Sequence, residues 1–210
     1  MTTLRARQKE DRRKRIIASA KILFRDLGFA KTTIEGIADA AGVSGVTVHN
    51  YFGAKAGVLL ALVIENDALL IERLEASLPD QPDDLTTLVL QFAGDVMDHA
   101  IANLDKVIWR EVIAAVATGA GTPLAKAYFK LDQQLAFVLV RGIERLQTAG
   151  KLPAAIDAGH LGKALFHLQN ARFTQFISSP DCSREEIEAR LRNDLAALFA
   201  VGAAPSRPIS

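Results

Sequence analysis

The chain of 210 residues is long enough for one large domain, or for a small domain followed by a larger one, and half of it is hydrophobic, so a sizeable core can form. Its single cysteine, Cys182, excludes an internal disulfide, and its longest uncharged run, about residues 112–125, is too short and too interrupted by glycine and proline to cross a bilayer. The charged N-terminus lacks the apolar segment of a secretory signal, so we expect a cytoplasmic protein without a membrane partner.

The net charge is +1, but the first quarter of the chain is basic and the remainder is acidic. Residues 1–57 carry 11 Lys and Arg against 5 Asp and Glu, whereas residues 58–210 carry 14 against 19. A basic first quarter suits a polyanionic partner. A solvated basic tail is the alternative, because residues 12–15 supply much of the excess, and charge alone leaves both interpretations open.

Three helices are predicted in the first quarter. An apolar stripe at helical spacing over residues 16–27 indicates the first helix, which Gly28 ends. The capping box at residues 32–35, with Thr32 as the cap, predicts a short second helix over residues 33–41. Ser44 is suited to be the N-cap of a third helix that runs to about residue 51.

The remainder also shows helical periodicity and no strand alternation, so the fold class is all-α with about nine helices. Thr122 and Pro123 have the residue types of an N-cap and a first helical position, and Ser183–Glu186 forms a second capping box. The further helices are expected over residues 55–77, 84–103, 105–117, 123–149, 157–177 and 183–200.

The second and third helices, with the tight turn at residues 41–43, form a helix-turn-helix candidate. Apolar residues suited to their facing surfaces are Ile37, Ala38, Val43, Val48 and Phe52. The outward face must be thin enough to enter a major groove, and Gly45, Val46 and Thr47 are small, while Asn50 can donate to and accept from a base edge. Side chains that can bind phosphates are Ser44, Thr47, His49, Tyr51 and Lys55. We therefore expect this surface to face DNA.

Residues 14–63 resemble the DNA-binding domain of the tetracycline-repressor-like (TetR/AcrR) regulators. The matching positions are Ile17–Phe24, Gly28, Thr32, Thr33, Ile37, Ala38, Ala41–Ser44, Thr47, Tyr51, Phe52, Lys55 and Leu59. The resemblance implies an all-helical homodimer whose first three helices bind an operator and whose C-terminal helices hold a small-molecule pocket. Positions implied to contact phosphates are Thr33, Ser44, Tyr51 and Lys55, and those implied to lie near base edges are Gly45, Thr47 and Asn50.

The chain departs from the family pattern at four places. His49 stands where the family usually has tyrosine, and Gly45 stands at a position that is often basic or polar. Ala54 replaces a usual helix cap, and the pair Ala56–Gly57 replaces a usual acidic residue. Loss of a cap costs about 1 kcal/mol, so the start of the following helix is expected to be soft.

The division implied for the chain is a disordered basic arm at residues 1–10, a helix-turn-helix domain at 11–54, a ligand-binding and dimerisation domain at 55–201, and a disordered tail at 202–210. In the arm, basic side chains would add non-specific affinity for DNA, and an unbound solubilising tail is the alternative.

Large or polar residues on otherwise apolar helices are candidates for the ligand pocket, because ligand sites are mostly apolar with a few polar groups. These candidates are Phe92, Met97, His99, Trp109, Arg110, Phe137, Phe166, His167, Asn170 and Phe173. For any single aromatic residue, a place in the ordinary core is the alternative. For His167, Asn170 and Arg172 the alternative is a buried network at a dimer interface.

The helices at 157–177 and 183–200 are the best candidates for dimerisation, since two copies would form a four-helix interface with two-fold symmetry. Intramolecular packing alone is the alternative. No metal or cofactor is expected, because the four histidines lack ligand spacing and no phosphate-binding glycine loop is present. No pattern of catalytic residues favours an enzyme, and Cys182 is not expected to be a redox sensor.

The function that these patterns favour is a ligand-responsive DNA-binding transcriptional regulator. It would be a repressor, released from a pseudo-palindromic double-stranded DNA operator by a small apolar or amphipathic effector. The alternative is a DNA-binding architectural or protein-interaction module without a small-molecule effector. An activator is also compatible with the sequence, since the sign of regulation depends on where the operator lies.

Overall fold

The computed structural model describes residues 4–77 and 83–203, and in these ranges the chain forms helices and their connections without any strand. The described helices are α1 Leu4–Leu27, α2 Ile34–Ala41, α3 Gly45–Phe52, α4 Lys55–Ser77, α5 Leu85–Asn103, α6 Lys106–Thr118, α7 Pro123–Thr148, α8 Ala158–Ser178 and α9 Arg184–Ala203. The all-α prediction is confirmed. None of these helices is both long enough and apolar enough to span a membrane.

Parts of both chain ends that were expected to be disordered are helical in the structure. Residues 4–10, expected to belong to a disordered arm, form the exposed first turns of α1. No glycine or proline interrupts the sequence between Leu4 and Leu27, so the helix continues outward from its buried part. At the other end α9 includes residues 202 and 203, and residues 1–3 and 204–210 lie outside the described ranges.

The chain packs as two compact units that do not divide at residue 55. The first unit contains the residues up to Glu72 together with Ala100–Gln134, and the second contains Arg73–His99 together with the residues from Leu135 onward. Helices α4, α5 and α7 each contribute residues to both units. The assignment of ligand binding and dimerisation to residues 55–201 stays a prediction.

The core of the first unit joins α1, α2 and α3. Helix α2 packs against both α1 and α3, and α6 also packs against α1. The fully buried apolar residues of these helices are Ile16, Ala20, Phe24, Ile37, Val48, Ile108 and Val112. Burial of such side chains contributes about 1.5–3 kcal/mol each, and it fixes the orientation of the short helix α3, which could not persist alone.

The second unit is held by close packing and by a part-buried ion pair between α8 and α9. Gly162 of α8 lies so close to α7 that an added Cβ would stand 2.6 Å from a methyl of Val140, so only glycine permits this approach. Phe92 and Phe166 meet edge to face with centroids 6.4 Å apart. Arg172 of α8 donates two hydrogen bonds of 2.6 Å to the carboxylate of Asp194 on α9. This bidentate pair fixes α8 against α9.

Candidate nucleic-acid interface

The start of α2 is capped by Thr33 and not by Thr32. The Thr33 hydroxyl accepts a hydrogen bond of 3.0 Å from the backbone amide of Gly36. The Thr32 side chain is buried, and its hydroxyl donates to the carbonyl oxygens of Gly28 at 2.9 Å and Leu23 at 3.2 Å. The expected capping box is therefore shifted by one residue, because Thr32 is used to tie the α1–α2 loop to the end of α1.

The turn between α2 and α3 requires glycine at its first position. Gly42 has the left-handed φ of 64°, and its amide donates to the carbonyl oxygens of Ala38 and Asp39. Ser44 then caps α3, since its hydroxyl accepts from the amide of Thr47 at 3.2 Å and lies 2.8 Å from the Thr47 hydroxyl. The prediction of Ser44 as an N-cap is confirmed. These caps hold α3 at a fixed angle to α2.

The inward and outward faces of the α2–α3 pair differ in burial, as expected for a helix-turn-helix. Ile37, Ala38 and Val48 are buried, and Val43 and Phe52 are half-buried. On the outward face, His49 and Asn50 are exposed, while Gly45 and Thr47 are half-buried.

Val46 was placed on the outward face by the sequence but is not among the positions implied to contact DNA. Its side chain is 70% exposed, although an isolated valine on a short helix would ordinarily be buried. It lies one helical turn before Asn50 and shares its face. The spacing of Val46, His49 and Asn50 in the sequence was the signal that could have identified it.

Tyr51 joins the end of α3 to the first turns of α1. Its hydroxyl donates a hydrogen bond of 3.2 Å to the carbonyl oxygen of Lys9, and its ring stacks at an angle against Phe52, with centroids 5.9 Å apart. Ala6, Lys9, Glu10, Arg13, Asn50 and Tyr51 line one groove. The basic first turns of α1 therefore lie beside the exposed end of α3.

The ammonium group of Lys55 binds the protein backbone. It donates to the carbonyl oxygens of Phe29 at 2.5 Å, Thr32 at 2.8 Å and Ala30 at 3.3 Å. It also lies 4.4 Å from the centroid of the Phe29 ring. Three donors meeting three acceptors use the full hydrogen-bonding capacity of an ammonium group. The phosphate contact expected for Lys55 would therefore compete with the contacts that hold the α1–α2 loop.

The basic side chains of α1 are divided between solvent and the protein. Arg13 pairs with Glu65 of α4. Arg5, Arg7, Arg12, Lys14 and Arg15 are exposed. An exposed basic row next to α3 gives the electrostatic attraction that a duplex requires.

The junction between α3 and α4 depends on the absence of a side chain at Gly57. A Cβ at this position would stand 1.9 Å from the carbonyl oxygen of Phe52. Gly53 ends α3 with a positive φ of 73°, and Ala54 supplies no capping side chain for α4. The pair Ala56–Gly57 thus lets the first turn of α4 approach the end of α3 closely.

Residues 16–62 match the family model described as bacterial regulatory proteins of the tetR family. The N-terminal part of the chain therefore contains a segment of the tetR-family type. The matched segment contains the buried half of α1, all of α2 and α3, and the first turns of α4.

Solved structures of TetR-family proteins share the fold over nearly the whole chain. A protein of Mesorhizobium loti put forward as a TetR-family regulator aligns with a TM-score of 0.70 at 20% identity, covering 92% of this chain and 97% of its own. A TetR regulator of Haloarcula marismortui gives 0.69 at 18% identity, covering 91% and 98%. FadR of Thermus thermophilus, a TetR-family repressor in complex with lauroyl-CoA, gives 0.68 at 22% identity, covering 94% and 98%. A comparison with curated protein sequences gives no match.

The ten pocket candidates are divided between the two compact units. Trp109 and Arg110 belong to the first unit and the other eight to the second. Phe137 and His167 are exposed, and Arg110 and Asn170 are half-buried. The buried candidates are Phe92, Met97, His99, Trp109, Phe166 and Phe173. Trp109 donates its indole N–H to the carbonyl oxygen of Ala100 at 3.1 Å, so this polar group serves the core.

A cavity of about 490 Å³ in the first unit is lined by different residues. It lies between α4 and α7 and is bounded by Leu60, Val63, Ile64, Ile71, Glu72, Ala127, Tyr128, Lys130, Leu131 and Gln134. An apolar wall with a few polar and charged groups suits an amphipathic small molecule. The sequence pattern missed it because neither helix shows an unusual residue there. Within the described ranges, no three His, Cys, Asp or Glu side chains lie close enough to hold a metal ion.

Proposed function

We propose that the chain is a TetR-family transcriptional repressor that binds a pseudo-palindromic operator as a homodimer and is released by a small apolar or amphipathic molecule. The observation that carries the proposal is the outward face of α3. There Val46, His49 and Asn50 are exposed on a helix held at both ends by Ser44 and Gly53. A rigid, thin helix with an amide at its exposed end suits entry into a major groove.

The residues of α3 would read bases by two kinds of contact. The Asn50 amide can make a bidentate contact with an adenine, and the Val46 methyl groups can contact the methyl group of a thymine. Thr33, Ser44 and Thr47 carry hydroxyls at or near the starts of α2 and α3, where exposed backbone amides also attract phosphate. The exposed arginines of α1 would add affinity that does not depend on sequence.

A homodimer through α8 and α9 is supported by apolar residues that the single chain leaves uncovered. Leu198 of α9 is 54% exposed, and Leu161 and Leu168 of α8 are half-buried. The Arg172–Asp194 pair makes the two helices one rigid surface. A two-fold interface of this kind would present two copies of α3 to two half-sites about one helical turn of DNA apart.

The effector is proposed to bind between α4 and α7. The cavity of about 490 Å³ contains Lys130 and Glu72 at its polar part and aliphatic side chains elsewhere. Thermus thermophilus FadR, a protein of the same fold, is in complex with an acyl-CoA. A ligand there would displace α4, which follows α3 after only two residues, and the effector and DNA would weaken each other's binding by the same factor.

Selection of binding sites from a random DNA pool tests this function. The purified chain at 150 mM salt should enrich a pseudo-palindrome. Asn50→Ala should relax the preference at one position of each half-site, with a loss of about 1–3 kcal/mol for the preferred base. Asn193→Ala, the same change at an exposed position of α9, is the matched control and should leave the selected sequence unchanged.

Two results would count against the proposal. Weak, salt-dependent binding without an enriched sequence would mean that the basic side chains of α1 attract DNA non-specifically and that α3 does not recognise bases. If an operator sequence is enriched but no screened small molecule shifts the melting temperature or the DNA affinity of the chain, the architectural or protein-interaction module is favoured.

A further inference from the structure

A second cavity, of about 580 Å³, lies directly behind the end of α3. Its walls come from the end of α3, the first turns of α4, the end of α6 and the start of α7, all within the first compact unit. The lining residues are Tyr51, Phe52, Gly53, Ala54, Ala56, Gly57, Leu60, Ala115, Thr118, Gly119, Thr122, Pro123 and Leu124. Its volume falls in the range of sites for small organic molecules.

The lining carries no charged side chain, and its hydroxyl donors are already used. Tyr51 donates to the carbonyl oxygen of Lys9. Thr118 donates to the carbonyl oxygen of Ala114 at 2.8 Å, and Thr122 donates to that of Gly119 at 2.6 Å. A charged ligand would lose its hydration here without a partner, whereas an uncharged apolar ligand would lose little. The chemistry of the wall therefore selects uncharged molecules.

The floor of this cavity is formed by residues without polar side chains. Ala54, Ala56 and Gly57 line the cavity, and none of them carries a polar or charged group. At Gly57 no side chain can be accommodated without moving the backbone, because a Cβ would stand 1.9 Å from the carbonyl oxygen of Phe52. This wall therefore offers a ligand neither a polar side chain nor a charge.

We propose that this cavity binds a small uncharged apolar molecule, separately from the effector cavity between α4 and α7. Ala54, Ala56 and Thr118 are exposed, so the cavity is reached from solvent. Leu60 lines both cavities and stands at their border. A ligand in this site touches Tyr51 and Phe52, which end α3. Its effect on DNA binding rests on the proposed function, whereas the binding itself does not.

Two fluorescent probes with related ring systems test the chemistry. N-phenyl-1-naphthylamine is uncharged, and 8-anilinonaphthalene-1-sulfonate carries one negative charge. The full chain should bind the uncharged probe at one site per chain and the anionic probe at least tenfold more weakly. Equal or tighter binding of the anion would overturn the assignment of the ligand class.

Filling variants locate the site. Ala115→Phe fills the cavity from α6, and Ala56→Phe fills it from the opposite wall on α4, so a folding defect in one does not end the test. Each variant with an unchanged circular dichroism spectrum should weaken the uncharged probe at least tenfold. Ala127→Phe makes the same change in the other cavity and should leave binding of this probe unchanged. Loss of binding in Ala127→Phe alone, or retention in both filling variants, would overturn the proposal.

The probe measurement needs no DNA, so it separates this proposal from the proposed function. Probe binding that the filling variants abolish, together with a failed operator selection, would support the cavity and contradict the repressor. An enriched operator with no probe binding would support the repressor and contradict the cavity.

Discussion

Replacing Lys55 by methionine should weaken the fold of the DNA-binding part more than it weakens electrostatic attraction to DNA. Methionine keeps the length of the side chain and removes its charge and its three donors. The carbonyl oxygens of Phe29, Ala30 and Thr32 would lose their partner, and the α1–α2 loop would lose its link to the first turn of α4. The loop precedes the Thr33 cap, so the start of α2 would loosen as well.

The magnitude follows from the geometry around the ammonium group. A hydrogen bond to a charged group contributes about 1.5–3 kcal/mol, and the contact with the Phe29 ring adds about 0.5 kcal/mol. Because Lys55 is only half-buried, water replaces part of these contacts, and the methionine gains side-chain freedom. We expect a loss of about 2 kcal/mol in the free energy of unfolding, or about 4–8 °C in Tm for a chain of this size.

Thermal melting and the salt dependence of DNA binding together check this reasoning. Lys31→Met removes the charge of an exposed lysine from the same loop and is the matched control, with Tm unchanged. The slope of log Kd against log salt should be the same in Lys55→Met as in the control. The reasoning is refuted if Lys55→Met keeps its Tm and lowers that slope by about 0.9, the loss of one phosphate contact.

Three further outcomes are expected. Gly57→Ala should lower the free energy of unfolding, measured in urea, by about 1–3 kcal/mol, because the added Cβ meets the backbone of Phe52. Gly45→Ala has open space around the added Cβ and should stabilise α3 by about 0.5–1 kcal/mol. Equal effects of the two variants would contradict the close approach of Gly57 to Phe52. Burial raises the pKa of Asp132 from 3.8 to about 7, so ionisation penalises the folded state as pH rises between these values. Asp132→Asn should therefore exceed the wild type in stability by about 2 kcal/mol at pH 8 and lose this advantage by pH 4, and an advantage independent of pH would be the contrary result. Leu198→Glu should give a monomer in analytical ultracentrifugation, while Phe129→Glu, an equally exposed apolar position on α7, should remain a dimer; a dimer in both would exclude α9 as the interface.

The helix positions were predictable because the signals that set them are local. Asp105 and Asp157 cap α6 and α8 through hydrogen bonds to amides three residues later, and Ser183 does the same for α9. A capping side chain, a glycine with positive φ and an apolar stripe each act within one or two turns of the chain. The exposed face of α3, from Ser44 to Asn50, was predictable for the same reason, since it follows from helical spacing, and its contact with DNA stays a prediction.

The roles of the outlying site residues depended on contacts between distant parts of the sequence. Thr32 and Thr33 have identical side chains, and only the position of the end of α1 decides which of them caps α2. Lys55 lies more than twenty residues from the carbonyl oxygens it binds, so no local pattern could show that its charge is used within the protein. Tyr51 meets Lys9 across 42 positions for the same reason.

The sequence by itself determined that the chain is all-helical and where most of its helix caps lie, and it predicted which short helix would face DNA. Periodicity and capping report the local free energy of the backbone, and these features need no knowledge of neighbours in space. Only the tertiary structure decided which polar groups are free for a partner and where the chain leaves cavities. Phe137 and Phe166 are both phenylalanines on apolar helices, yet Phe137 is exposed and Phe166 is buried. A cavity is the space that several helices fail to fill, so it is fixed by the packing of those helices together and by no single one of them.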